Sequence, residues 1–125
     1  MLPRRILIAD DDKVSRETIA DFLQDEGYEV HLAANGHEAV AALPVFQPEL
    51  VLTDLYMPGL GGLDVLQHVR TVFPQTVVFI CTSETAIEVM QTAQQLGAHA
   101  YVNKPLNLDK MLLRIEQAFG ISRQK

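Results

Sequence analysis

The 125-residue sequence predicts an α/β domain of the (βα)5 type, a five-stranded parallel sheet with helices on both faces. Two observations predict it. Short apolar runs rich in β-branched residues alternate with longer stretches of helical period, as βαβ units around a doubly buried sheet require. Glycine or proline closes the helical stretches, so the elements are punctuated.

The strands read as Arg5 to Ala9, Glu29 to Ala33, Leu50 to Asp54, Val77 to Thr82 and Ala100 to Asn103. The first helix spans Val14 to Asp25, with Val14, Thr18 and Phe22 on one face, Ile19 and Leu23 beside it, and Gly27 as its stop. Asn35 caps a second helix through Leu43, which Pro44 and Pro48 separate from the third strand. The third covers Gly62 to Phe73, with Leu63, Leu66, Val69 and Val72 or Phe73 as its stripe. The fourth starts at Ser83 or Glu84 and runs through Leu96 to Gly97. The fifth covers Leu108 to Phe119, with Leu108, Leu112, Ile115 and Phe119 inward. Residues 1–120 form one domain, and 121–125, "ISRQK", read as a polar tail that frays or opens a linker to a further domain.

Composition narrows the function. With 48% hydrophobic residues the chain buries a core of its own. A net charge of -6 and a pI near 5.0 argue against direct nucleic-acid binding. The start, "MLPRRILIADDD", has too short an apolar stretch for a leader or membrane span, and Arg4 and Arg5 read as a solvated strand flank. Cys81 is the only cysteine and lies in the apolar run "VVFICT", which suits an inert buried thiol and a reducing cytoplasm.

Chemistry gathers at the strand ends. In an open parallel sheet ligands sit beyond the carboxyl edge, at the point where strand order reverses. There the first strand delivers Asp10, Asp11 and Asp12, the third Asp54, the fourth Thr82, and the fifth leads to Lys104. Crowded carboxylates raise one another's pKa unless a cation sits among them. Carboxylate oxygens without imidazole or thiolate favour Mg2+ over zinc or copper. A carboxylate nucleophile, a hard cation, an ammonium and a hydroxyl together suit phosphoryl transfer through an aspartyl-phosphate.

The fragments "ILIADDD", "LVLTDLYMPGLGG", "VVFICTS" and "AYVNKP", in this order along essentially the whole chain, resemble the receiver domain of two-component response regulators. The resemblance implies a flavodoxin-like fold with strand order 2-1-3-4-5. It implies that Asp54 accepts a phosphoryl group from a phosphohistidine on a sensor histidine kinase or phosphotransfer protein. It also implies a Mg2+ cofactor bound by Asp11 directly, by Asp10 mostly through water, by Asp54, and by the backbone carbonyl of Tyr56. Lys104 would pair with phosphoryl oxygens, next to a cis Lys104-Pro105 bond. Thr82 and Tyr101 would form the switch. Output would reach an effector domain or protein, or a dimer, through the face of helix four, strand five and helix five. Such a chain catalyses only its own phosphorylation and dephosphorylation.

Some residues carry plainer readings. Asp12 reads as a helix-start carboxylate rather than a metal ligand. The histidines His31, His37, His68 and His99 read as surface groups, and Met57 fills a loop-side pocket. Lys13, Ser15, Arg16 and Ala20 are candidate kinase contacts on helix one. The sequence departs from the family pattern at three points. Gly61 replaces a common aspartate, which implies a more mobile loop. Tyr56 and Glu84 stand two residues past Asp54 and Thr82, where Tyr56 would shield the acyl phosphate from water. Ala100 removes an acid used in the dimer contacts of the winged-helix subfamily. Two rivals stand beside the receiver reading. One is a small Mg2+-dependent phosphohydrolase, which would need an acid where Tyr56 stands; the other is a docking pseudo-receiver that takes no phosphate.

Overall fold

The computed structural model describes residues 4–121. Five strands, β1 (Arg5–Ala9), β2 (Glu29–Ala33), β3 (Leu50–Asp54), β4 (Val77–Thr82) and β5 (Ala100–Asn103), pair in parallel in the order β2-β1-β3-β4-β5. Between and after them run α1 (Lys13–Asp25), α2 (Gly36–Phe46), α3 (Gly62–Val72), α4 (Ile87–Gln95) and α5 (Leu108–Phe119). The doubly wound order expected from the family resemblance is the one observed.

Each apolar strand splits its side chains between two cores, as a period of two demands. Leu7, Ala9, Val51, Val78 and Ile80 face α2 and α3, packing with Leu43, Val65, Leu66 and Val69. Ile6, Ile8, Leu50, Leu52, Phe79 and Cys81 face α1 and α5, packing with Ile19, Leu23, Met111 and Ile115. Leu108 and Phe119 join that second core half-buried. Burial also pushes the Cys81 thiol up to about 12, so it stays protonated.

Three helices differ from their sequence reading. In α1 the buried stripe is Ile19, Ala20 and Leu23, whereas Val14 in the first turn is 73% exposed. Helix α2 continues through Pro44 to Phe46. Pro44 forfeits one backbone bond, but Gln47 N–H still reaches Leu43 O at 3.0 Å and Phe46 packs on the core. Helix α4 starts at Ile87, not at Ser83 or Glu84. The Glu84 carboxylate accepts the N–H groups of Thr85 and Ala86, both at 3.1 Å, and so holds that segment in a turn.

Two side chains read as solvated do structural work. Arg4 bonds Glu49 at 3.2 Å and lies over the Phe119 ring, 4.6 Å from its centroid. His99, though exposed, accepts Val78 N–H on Nδ1 at 3.1 Å while its own N–H donates to Val78 O at 2.8 Å, closing the start of the β4–β5 ladder. Burial, with the nearby Arg70 charge, lowers the His99 pKa. Of the polar tail, residues 122–125 lie outside the described residues.

Candidate functional site

Register builds the site. Ala9 pairs with Thr53, so Asp10 follows β1 level with Asp54 at the end of β3. These two strands flank the point where strand order reverses. Asp54 pairs with Cys81 and Thr82 with Asn103, which carries Thr82 and then Lys104 along the same rim. The Lys104 N–H bonds Thr82 O at 2.8 Å, and Lys104-Pro105 is cis.

Two glycines let other elements approach this rim. A Cβ on Gly62 would lie 2.1 Å from Asp54 O, so only glycine lets α3 start against the end of β3. A Cβ on Gly36 would meet Leu60 O at 2.1 Å, where α2 abuts the loop after β3.

The charged groups converge. Asp10, Asp11 and Asp54 each offer an oxygen, all within 4.8 Å of one another. Lys104 Nζ lies 2.5 Å from Asp54 Oδ1 and 3.4 Å from Asp10 Oδ2. Asp10 is 2% exposed and Asp54 8%, while Asp11 is exposed. Burial and a shared hydrogen bond with Asp10 push the Asp54 carboxyl up to about 7 against the pull of Lys104. For Asp10, burial works upward too. Hydrogen bonds from Asp54, the Asp12 N–H and Ser15, with the Lys104 charge, outweigh it and hold its pKa below the usual value. Burial depresses Lys104, but the two carboxylates more than compensate and raise it. Three clustered carboxylates without sulfur or imidazole form a donor set that fits a hard divalent cation.

Asp12 occupies the N-cap position of α1, but its side chain makes no capping bond. Its N–H donates to Asp10 Oδ1 at 2.9 Å and its carbonyl accepts Arg16 N–H at 2.9 Å. The third acid of the run therefore serves the site through its backbone.

A second group of side chains gathers on Glu84. Its N–H donates to Thr82 Oγ1 at 3.1 Å, its carbonyl accepts Tyr101 Oη at 3.0 Å, and its carboxylate accepts Tyr56 Oη at 2.5 Å. The bond to Glu84 raises the Tyr56 pKa, and the same bond lowers that of Glu84. Tyr56, 61% exposed, thus bridges the loops after β3 and β4. Thr82 and Tyr101, expected to act as a pair, are brought to one residue, although neither is bonded to Asp54 among the contacts of the described residues. Gly61 leads into α3 with its N–H donated to Asp64 Oδ2 at 3.1 Å.

Sequence reasoning missed the hub role of Glu84 and the bond from Ser15 Oγ to Asp10 Oδ2 at 2.7 Å. On sequence Ser15 reads only as a candidate kinase contact. A contact that spans a strand-to-helix turn leaves no periodic signal.

A family model described as response regulator receiver domain matches residues 6–116. The chain is 33% identical over 124 residues to the transcriptional regulatory protein PdtaR of Mycobacterium tuberculosis, covering 98% of this chain and 60% of that protein. It is 32% identical over 114 residues to the response regulator MprA of Mycolicibacterium vanbaalenii, covering 91% of this chain and 49% of the relative. This chain therefore spans about half of one of those proteins and three-fifths of the other. The structure of the chemotaxis protein CheY4 of Vibrio cholerae superposes with a TM-score of 0.88 at 30% identity, covering 93% of this chain and 98% of that one. With the acidic rim at the switch point of a five-stranded sheet, these matches show that the chain belongs to the response regulator receiver domain family of two-component signalling.

Proposed function

We propose that the chain is a phosphorylation-controlled switch that accepts a phosphoryl group on Asp54 from a phosphohistidine of a sensor histidine kinase or phosphotransfer protein. The observation that carries this reading is the placing of Asp54 among Asp10, Asp11 and Lys104, with Lys104 Nζ 2.5 Å from Asp54 Oδ1. Asp10, Asp11, Asp54 and the Tyr56 carbonyl would hold Mg2+. When bound, this ion supplies positive charge for the phosphoryl oxygens and favours the ionised form of Asp54.

An Asp54 carboxylate oxygen donates its lone pair to phosphorus. The P–N bond of the phosphohistidine breaks, and its electron pair leaves with the imidazole, which takes a proton from solvent. Lys104, already beside Asp54, neutralises charge on the transferred group. Among the described residues Thr82 Oγ1 accepts from Glu84 N–H, and its own O–H is the donor that would meet a phosphoryl oxygen. A shift of Thr82 pulls on Glu84, whose carbonyl holds Tyr101, and so couples the acyl phosphate to the surface of α4, β5 and α5. Tyr56 covers the approach of water to the acyl phosphate.

The chain modifies only itself and turns over no free substrate. Its output runs through an effector domain or partner, or a dimer, on the α4–β5–α5 face, and the cytoplasm is its compartment. Among the described residues no helix is long and apolar enough to cross a membrane.

Intact-protein mass after incubation with acetyl phosphate, with and without Mg2+, tests the reading. One added base-labile phosphoryl group that requires Mg2+ and disappears in Asp54→Asn is expected. Steady hydrolysis of the donor without a trapped adduct would support the phosphohydrolase instead, and no reaction at all would support a docking role.

A further inference from the structure

Ser15 stands in the first turn of α1, where a hydroxyl commonly serves the helix backbone. Here its Oγ reaches back across the turn from β1 and donates to Asp10 Oδ2 at 2.7 Å. Lys104 Nζ approaches the same oxygen at 3.4 Å, and Asp10 Oδ1 accepts the Asp12 N–H at 2.9 Å. An ionised carboxylate offers about four acceptor directions. Besides the proton that Asp10 shares with Asp54, three are met by this chain, so Asp10 is held from both oxygens.

The three restraints are unequal. The Lys104 contact is long, and Lys104 sits closer to Asp54, at 2.5 Å. Its charge also competes with any cation. The Ser15 hydroxyl is neutral and short-range, so it fixes Asp10 without repelling a metal.

We propose that Ser15 is a positioning residue for the cation-binding carboxylates. By holding Oδ2 it sets the plane of the Asp10 carboxylate against Asp11 and Asp54, so that a divalent cation meets oxygens already in place. The inference rests on the reading of Asp10, Asp11 and Asp54 as the Mg2+ site. Partners that orient metal-binding groups from behind contribute about 10- to 100-fold in affinity. Because Ser15 is one restraint of three, its loss weakens Mg2+ binding roughly tenfold.

Calorimetric titration of Mg2+ alone into the 125-residue chain tests this, comparing wild type, Ser15→Ala, Ser15→Thr and Asp10→Asn. Thermal unfolding of each in EDTA verifies that all are folded. Roughly tenfold weaker binding in Ser15→Ala, with most of the affinity kept in Ser15→Thr, is the expected result. Wild-type affinity in Ser15→Ala, with Asp10→Asn weakened, overturns the role of Ser15 and leaves the Mg2+ reading standing. A loss that Ser15→Thr does not restore overturns it as well, since the hydroxyl would not then be the group that matters. Asp10→Asn that binds as wild type overturns the site reading and the inference with it.

Discussion

Lys104 Nζ and Asp54 Oδ1 lie 2.5 Å apart at the carboxyl edge of the sheet, although their residues come from elements at opposite ends of the β3-β4-β5 half. Even so, Asp54 holds its proton up to about 7, because burial and the adjacent Asp10 outweigh one lysine. The native state therefore binds a proton that the unfolded chain, with a carboxyl near 3.8, has released. In metal-free protein this makes stability fall as pH rises between those two values and level off above the upper one. Asp54→Asn removes the effect. Denaturant unfolding in EDTA should show the variant about 1–3 kcal/mol more stable than wild type at pH 8, and close to it at pH 4.

On the proposed reading, Mg2+ held at Asp54 would compete with that proton. The thermal shift produced by saturating Mg2+ should be larger at pH 8 than at pH 5.5 in wild type, and small at both in Asp54→Asn. Differential scanning fluorimetry with and without EDTA checks both arms.

The approach of α3 to β3 depends on Gly62. An added methyl would lie 2.1 Å from Asp54 O, a backbone atom that cannot turn aside. Gly62→Ala should cost about 2–3 kcal/mol in urea unfolding and should slow phosphoryl addition, since relief of the clash moves the end of β3 itself.

The Tyr56 hydroxyl donates to Glu84 and so joins the loops after β3 and β4. Tyr56→Ala, which removes both ring and hydroxyl, should shorten the lifetime of the acyl phosphate by roughly fivefold, equivalent to about 1 kcal/mol of barrier. Tyr56→Phe keeps the ring and should fall between the two. Release of inorganic phosphate from purified phosphoprotein measures all three, and an unchanged rate in Tyr56→Ala would exclude shielding.

All five strands are legible at their observed bounds: β1, β3, β4 and β5 by short apolar runs rich in β-branched or aromatic residues, and β2, Glu-Val-His-Leu-Ala and largely exposed, by its place between the stop at Gly27 and the cap at Asn35. Helix ends were less so. Pro44 reads as a stop, yet the packing of Phe46 carries α2 past it, and the side-chain bonds of Glu84 delay α4; both are tertiary effects on a local signal. Asp10, Asp54, Thr82 and Lys104 were legible because strand ends fix where such residues meet. Glu84 and Ser15 were not legible as partners, because their bonds join loops and turns whose paths no period encodes. His99 likewise looks like a surface residue until its place at the start of the β4–β5 ladder is known.

On the proposed function, Asp54 itself carries the phosphoryl group. Borohydride cleaves an aspartyl phosphate to homoserine, so reduction of the phosphorylated chain followed by peptide mass mapping marks the modified position. Homoserine at position 54, only after incubation with donor and Mg2+, is the predicted result. Homoserine at another acidic position, such as Asp10 or Asp11, or an unreduced Asp54 in protein that has gained a phosphoryl group, would contradict it.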